Sequence, residues 1–375
     1  MNIQMVDLKG QYEKIREEIN TEIQKVIDST AFINGPKVKE FVDNLSDYLG
    51  GTNVVPCANG TDALQIALMA LALQPGDEVI LPVHTYVATA EVIALLKLTP
   101  VFVDVDPDYF TIDVSQIENK ITNKTKAIVP VHLYGQCADM ETIMQIAEKH
   151  NLSVIEDTAQ AIGAKYTFSD GKVAFAGTIG HMGTTSFFPS KNLGAYGDGG
   201  AMFVKDKALA EKCRMIANHG QSIKYHHDII GCNSRLDTLQ AAILDVKLKY
   251  LDDYSGARQK AAQYYDEKLK NIPGIKTPEV SPKSTHVYHQ YTIVLDESIS
   301  RSDLQNHLKD QGIPTMIYYP VPLHKQKAYV GNDKGEHFPV TEKLSETVLS
   351  LPIHTELTPK EQDFIVSSIH EFLNK

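Results

Sequence analysis

Lys191 lies between a short apolar run and a loop with four glycines, in Ser186-Phe187-Phe188-Pro189-Ser190-Lys191-Asn192-Leu193-Gly194-Ala195-Tyr196-Gly197-Asp198-Gly199-Gly200. Thr184 to Phe188 reads as a strand that Pro189 ends, because proline donates no hydrogen bond to a sheet. Gly194, Gly197, Gly199 and Gly200 let the backbone turn tightly and approach a ligand closely. Gly200 to Val204 reads as the next strand. A lysine desolvated in such a setting is nucleophilic, and with Ser186 five residues before it the arrangement suits an imine linkage to an aldehyde. A lone loop lysine is otherwise a solvated charge, so the rest of the chain has to supply its partners.

Three further stretches do so. Gly60-Thr61-Asp62-Ala63-Leu64 follows a strand and opens a helix, where free N–H groups make an anion site. Tyr86, in His84-Thr85-Tyr86, and Asp157, in Glu156-Asp157-Thr158-Ala159-Gln160, lie at strand ends, where parallel sheets open to ligands. Tyr86 can stack on a planar ring. Asp157 can hold a proton on a ring nitrogen and turn that ring into an electron sink. Taken singly, Thr61 and Asp157 also fit as helix N-caps, and Tyr86 as a core tyrosine. It is their order along the chain, from anion site to ring to carboxylate to lysine, that gives them a common meaning.

The elements that must position these residues follow from hydrophobic spacing. Gln11 to Asp28 is an amphipathic helix with Tyr12, Ile15, Ile19, Ile23 and Val26 on one face. Pro36 starts a second helix, with Val38, Phe41, Leu45 and Leu49 inward and Gly50-Gly51 as its stop. Short apolar strands then alternate with helices: strands at 53–57, 79–81, 101–105, 127–131 and 152–156, helices at 61–73, 88–98, 114–121 and 140–150. That alternation predicts an α/β fold with a mostly parallel sheet covered on both faces. Beyond Gly200 the pattern changes. Helices are expected at 208–218, at 236–269 as one long run, and at 302–311. An alternating strand is expected at 287–295, and a last helix at the capping box Thr358-Pro359-Lys360-Glu361. The expected division is a large domain over residues 1–245 and a small α+β domain over 246–375.

Composition excludes several classes. The chain has 375 residues, 43% hydrophobic and 22% charged, which supports a sizeable core. A net charge of −11 without a basic tract argues against nucleic acid as a partner. No apolar stretch is long enough to span a bilayer, and the N-terminal residues lack the basic start and apolar run of an export signal. With four scattered cysteines and no CxxC pair, the chain reads as cytoplasmic. GxGxxG does not follow the first strand, no HExxH is present, and the adjacent His226-His227 cannot share a helix face. No metal is therefore expected.

The chain resembles, end to end, the DegT/DnrJ/EryC1/StrS family of pyridoxal-phosphate sugar aminotransferases. The resemblance rests on Asn59-Gly60-Thr61-Asp62-Ala63-Leu64, Thr85-Tyr86-Val87-Ala88-Thr89, Glu156-Asp157-Thr158-Ala159-Gln160-Ala161 and Ser186 to Gly194. It rests also on Gly197-Asp198-Gly199-Gly200, Gly231-Cys232-Asn233-Ser234-Arg235-Leu236-Asp237 and Pro320-Val321-Pro322-Leu323-His324. It implies the fold-type I transferase architecture and, because Lys191 stands where dehydratases of the family carry His, transamination. It further implies that Lys191 links to pyridoxal 5′-phosphate and shuttles a proton, and that Asp157 pairs with the pyridine nitrogen. Gln160 would bond the ring hydroxyl and Tyr86 would stack on the ring. The backbone at Thr61 and Asp62, with the Ser186 hydroxyl, would hold the phosphate, and Gly60 would let the chain come close to it. Asn233 would reach the phosphate from the second subunit of a homodimer, and His219, Arg235 and His324 would lie near the sugar nucleotide. The implied partners are L-glutamate and a keto-sugar nucleotide, with amination at C3 of a UDP-linked uronate or a dTDP-linked deoxyhexose, or at C4. A non-catalytic regulator and a desulfurase on the same fold remain alternatives at this stage. His84 and Cys57 depart from the family pattern.

Overall fold

The computed structural model describes residues 3–329 and 335–374. Two helices come first, α1 (Leu8–Ser29) and α2 (Pro36–Tyr48). Next are β1 (Asn53–Cys57), α3 (Gly60–Ala70), β2 (Glu78–Pro82), α4 (Ala88–Leu95), β3 (Thr99–Val103) and α5 (Val114–Ile117). The chain continues through β4 (Thr125–Ile128), α6 (Met140–His150), β5 (Ser153–Asp157), the hairpin β6 (Lys165–Thr167) and β7 (Val173–Phe175), then β8 (Met182–Ser186), β9 (Gly200–Val204) and α7 (Lys207–Ala217). A second hairpin, β10 (Gln221–Ile223) and β11 (His226–His227), precedes α8 (Thr238–Leu248) and α9 (Leu251–Leu269). The last part is β12 (Ile275–Lys276), β13 (Tyr291–Leu295), α10 (Arg301–Asp310), α11 (Pro339–Thr347), β14 (Val348–Leu351) and α12 (Pro359–Leu373).

Seven strands form one sheet in the order β1-β9-β8-β5-β4-β2-β3. All pairings from β8 to β3 are parallel, whereas β9 runs antiparallel to both β1 and β8. Successive strand residues face opposite sides. Val79 and Leu81 therefore join the apolar cluster under α3, α4 and α7, while Ile80, Ile128 and Val154 pack toward α6. A third cluster joins Val54, Ala201 and Phe203 to α2 and α8. Residues from α9 onward build their own core around the sheet β12-β13-β14, with α10 and α12 against it and Ile3 added from the N-terminal end.

Local chemistry sets the helix starts. Asn59 caps α3 through its side chain on the Asp62 N–H, and Thr358 and Glu361 close the capping box of α12. Several sequence expectations shift. The run 236–269 is two helices, because the chain breaks at Lys249-Tyr250. The helix expected over 114–121 narrows to one turn of α5 and a 3-10 turn at Glu118–Lys120. The strand expected over 127–131 is Thr125–Ile128, and the strand before Lys191 ends at Ser186 rather than Phe188. Only Tyr291–Leu295 of the expected strand 287–295 pairs in a sheet, since Tyr288 adopts a positive φ of 45°. The glycine loop is also corrected: none of Gly194, Gly197, Gly199 and Gly200 has a positive φ. A Cβ on Gly194 would strike the Pro189 carbonyl, and one on Gly200 would strike the Asn59 backbone, so close chain-to-chain packing is what requires glycine there.

Candidate active site

The ends of β5 and β8, the start of α3 and the loop after β2 surround a cavity of about 530 Å³. Lys191, Asp157, Gly60, Thr61, Tyr86, Gln160 and Ser186 all line it, as do Asn59, His289, Gln290, Tyr318 and Tyr319. Lys191 follows β8 in a turn closed by its own N–H on the Phe188 carbonyl. Its residue is partly exposed, yet burial of the ammonium pushes it down to about 8, against an opposing pull from the Asp157 carboxylate. An amine tuned this way exists in both charge states near neutral pH, as a proton carrier must.

Asp157 is buried at the end of β5. Thr89 Oγ1 donates to its Oδ2 at 2.8 Å, and the Ala159 N–H donates to Oδ1 at 3.1 Å. Both donors are uncharged, so neither neutralises the carboxylate side that faces the cavity. Immediately behind it, the fully buried Glu156 accepts from the backbone N–H groups of Gly177, Ile179 and Gly180 at 2.6–2.9 Å. His132 Nδ1 accepts from the Ala138 N–H, so its Nε2–H donates to Glu156 Oε2 at 2.8 Å and the imidazole is fixed as one neutral tautomer. Glu156 thereby ties the 177–180 turn to the strand that carries Asp157.

At the other end of the cavity, Asn59 consumes the Asp62 N–H, while no hydrogen bond among the described residues occupies those of Gly60 and Thr61. This changes the sequence reading of the anion site. Gly60 and Thr61 present the free donors, and Asp62 instead accepts from Ser234 Oγ at 2.6 Å, outside the cavity lining. A Cβ on Gly60 would lie 2.7 Å from that of Ser186, so glycine lets the helix start seat against β8. Tyr86 stands 58% exposed with its ring 6.1 Å from that of Tyr319. Gln160 accepts from the Tyr134 N–H at 2.7 Å and donates to the Tyr319 hydroxyl at 3.2 Å.

Besides Asp62, four residues named from the sequence are not brought to this cavity within one chain. Asn233 is exposed beside Ser234. His219 lines a surface depression with His227 and Asp228, and Arg235 lines another with Arg214 and Asn218. His324 is buried, with Nε2 3.2 Å from Glu342. Conversely, His289, Gln290, Tyr318 and Tyr319 were not singled out. For Tyr318 and Tyr319 the signal is the neighbouring Pro320 to His324 stretch, whereas His289 and Gln290 lie in a run that reads as continuous strand. His84, the departure noted above, is buried 3.2 Å from the Tyr134 hydroxyl and pushed down to about 4 by desolvation, so it is neutral at pH 7.

A helix start with two free N–H groups, a ring platform, a charged carboxylate and a desolvated amine together fit a phosphorylated pyridine aldehyde. On such a sheet they define a fold-type I pyridoxal-phosphate transferase. A profile of the DegT/DnrJ/EryC1/StrS aminotransferase family matches residues 13–370. The chain belongs to that family, and its cofactor is pyridoxal 5′-phosphate. It is 49% identical to the UDP-2-acetamido-2-deoxy-3-oxo-D-glucuronate aminotransferase of Pseudomonas aeruginosa, over 95% of this chain and 96% of the other. It is 48% identical to a pleiotropic regulatory protein of Geobacillus stearothermophilus, over 99% of each. Among solved structures, NtdA of Bacillus subtilis with bound pyridoxamine phosphate superposes with a TM-score of 0.89. That match has 36% identity and covers 96% of this chain and 82% of the other.

Proposed function

We propose that this aminotransferase moves an amino group from L-glutamate to C3 of a keto-sugar nucleotide. The observation that carries the reading is Lys191, a desolvated amine set in one cavity with Asp157 and with a helix start whose first two N–H groups have no partner among the described residues. The choice of C3 and of a nucleotide sugar draws on the Pseudomonas relative, whose named substrate is a UDP-linked 3-oxo sugar acid.

Pyridoxal phosphate supplies a conjugated ring that withdraws electrons from the amino-bearing carbon and a carbonyl that carries nitrogen between two substrates. The chain's residues do the rest. The N–H groups of Gly60 and Thr61, with Ser186 Oγ, bind the phosphate at the positive end of α3. Asp157 holds a proton at the ring nitrogen, and Thr89 holds Asp157. Tyr86 covers one ring face and excludes water; Gln160 orients toward the ring hydroxyl. Lys191 Nζ takes the proton from the amino-bearing carbon of the donor and delivers protons in the return half-reaction. Arg235, His219 and His324 are assigned to sugar-nucleotide recognition. Asn233 is assigned to the phosphate of a second subunit. Exposed Ile223 and Tyr225 on the hairpin β10-β11, with Ile230 just after it, support a homodimer that would cover them.

The test is a spectrum. The yellow holoenzyme mixed with L-glutamate is expected to lose its aldehyde absorption and gain that of the pyridoxamine form. A protein that keeps its colour under saturating glutamate is not this enzyme, and a regulatory role like the one named for the Geobacillus relative would take precedence. UDP- and dTDP-linked 3-keto sugars, and a 4-keto sugar, offered to the amine form would then identify the acceptor.

A further inference from the structure

The loop that follows Lys191 is gripped from outside by one helix. Gln240 and Lys247 lie seven residues apart on α8, two turns, and so project from the same face. Gln240 pairs with both backbone groups of Tyr196: its Oε1 accepts from the Tyr196 N–H at 2.8 Å, and its Nε2 donates to the Tyr196 carbonyl at 3.4 Å. Lys247 Nζ donates to the Gly194 carbonyl at 2.5 Å and sits 5.3 Å from the centre of the Tyr196 ring. Tyr12 of α1 meets that ring edge-on at 6.0 Å. Lys247 is 1% exposed, and among the described residues no acidic side chain pairs with it. Inside the loop, Ala195 N–H donates to the Phe187 carbonyl and Lys191 N–H to the Phe188 carbonyl, so Gly194 and Lys191 belong to one closed turn.

An uncompensated ammonium in the interior is costly. Burial and the nearby Arg258 cation lower it to about 7. An apolar side chain would avoid that cost but would leave the Gly194 carbonyl unpaired. What an ammonium adds is a bond to the loop carbonyl and a simultaneous hold on the Tyr196 ring face.

We propose that Lys247, seconded by Gln240, is a positioning residue that fixes the turn carrying Lys191 and so aims its amine into the cavity. The proposal rests on the transamination reading for its kinetic arm alone.

The experiment uses Lys247→Met, Lys247→Arg and Gln240→Met. In single-turnover reaction of the holoenzymes with L-glutamate, Lys247→Met is expected to lower the maximal rate about tenfold or more, as sub-ångström misplacement of a reacting group does. Half-saturating glutamate should stay unchanged, because no contact to the donor is lost. Lys247→Arg should recover most of the rate. Independently, hydrogen–deuterium exchange across residues 188–200 of the cofactor-free protein should speed up in Lys247→Met and return toward wild type in Lys247→Arg. A folded Lys247→Met protein with wild-type rate and wild-type loop exchange overturns the proposal. If Lys247→Met does not fold, Gln240→Met decides: a smaller rate loss with faster loop exchange supports it, and no change in either overturns it. Failure of the wild-type protein to react with glutamate defeats the functional reading instead, and the exchange comparison still tests the clamp.

Discussion

The cavity wall built from the seven-stranded sheet and the wall built from residues 287–290 and 318–319 hold their side chains by different means. On the sheet wall, Asp157 and Glu156 sit on a strand paired on both sides, and each carboxylate is met by several donors, Thr89 of α4 and the Ala159 N–H for Asp157, the 177–180 turn and His132 for Glu156. On the other wall the chain has left regular structure. Its carbonyls at Tyr288 and His289, together with that of Ile353, converge on one buried guanidinium, Arg258, at 3.0–3.4 Å. His289 Nδ1, Gln290 Oε1 and Asn192 Oδ1 are buried there without hydrogen-bond partners among the described residues. The sheet wall is thus stiffened by a ladder of many weak bonds and the other by a single charged hub. The first should tolerate the loss of any one donor, whereas the second should not.

Four measurements would break or sharpen this contrast. The largest effect belongs to Lys191→Ala, expected to lower turnover by at least the 10²–10⁴-fold that a positioned acid–base group contributes, measured with glutamate and a 3-keto sugar nucleotide. Retention of near-normal turnover would remove Lys191 from the chemistry altogether. Next, Arg258→Met strands three carbonyls, and at about 1–3 kcal/mol for a buried unpaired group it should cost about 3 kcal/mol or more in urea denaturation. Thr89→Val removes one bond to Asp157 on the better-supported wall. At about 1.5–3 kcal/mol for a hydrogen bond to a charged group, it should cost less in unfolding than Arg258→Met and slow the glutamate half-reaction roughly tenfold. Equal stability losses in Arg258→Met and Thr89→Val would show that the two walls are not different in kind.

The smallest effect is one of pH. The Lys191 amine is lowered in the folded chain, to about 8 from 10.5, so between those values the unfolded chain binds more protons. Stability of the cofactor-free protein therefore rises with pH from about 8 to about 10.5 on account of this group. Lys247 acts in the same direction from about 7. Comparing wild type with Lys191→Met isolates the Lys191 share. An identical pH dependence in both would mean that the amine is not desolvated.

The same contrast explains how much could be read from residues alone. Lys191, Asp157, Tyr86, Ser186 and the Gly60-Thr61 donors all lie at or just beyond regular elements, and apolar runs mark such elements well. β1 fell where its residues placed it, at Asn53–Cys57. The direction of β9 was not readable, because Gly200 to Val204 has the same apolar pattern whichever way it pairs. His289 and Gln290 escaped notice because the alternation from Val287 to Leu295 looks like continuous strand. Only the turn at Tyr288, and the guanidinium of a residue 30 positions earlier, show where the strand gives way. That the Asp62 N–H goes to the Asn59 side chain is likewise not visible in the sequence, where Asp62 reads as a phosphate-holding backbone position. Contacts between residues distant in sequence, such as that of Lys247 with Gly194, leave no periodic trace.

Gly200 starts β9 with its bare α-carbon against the backbone of Asn59, and Gly60 is packed against Ser186. The donors proposed for the phosphate and the stretch that ends in the proposed catalytic amine are consequently one mechanical unit, with no slack between them. Affinity for the phosphate and alignment of the amine should then be inherited together, so that a substitution which shifts either one changes both.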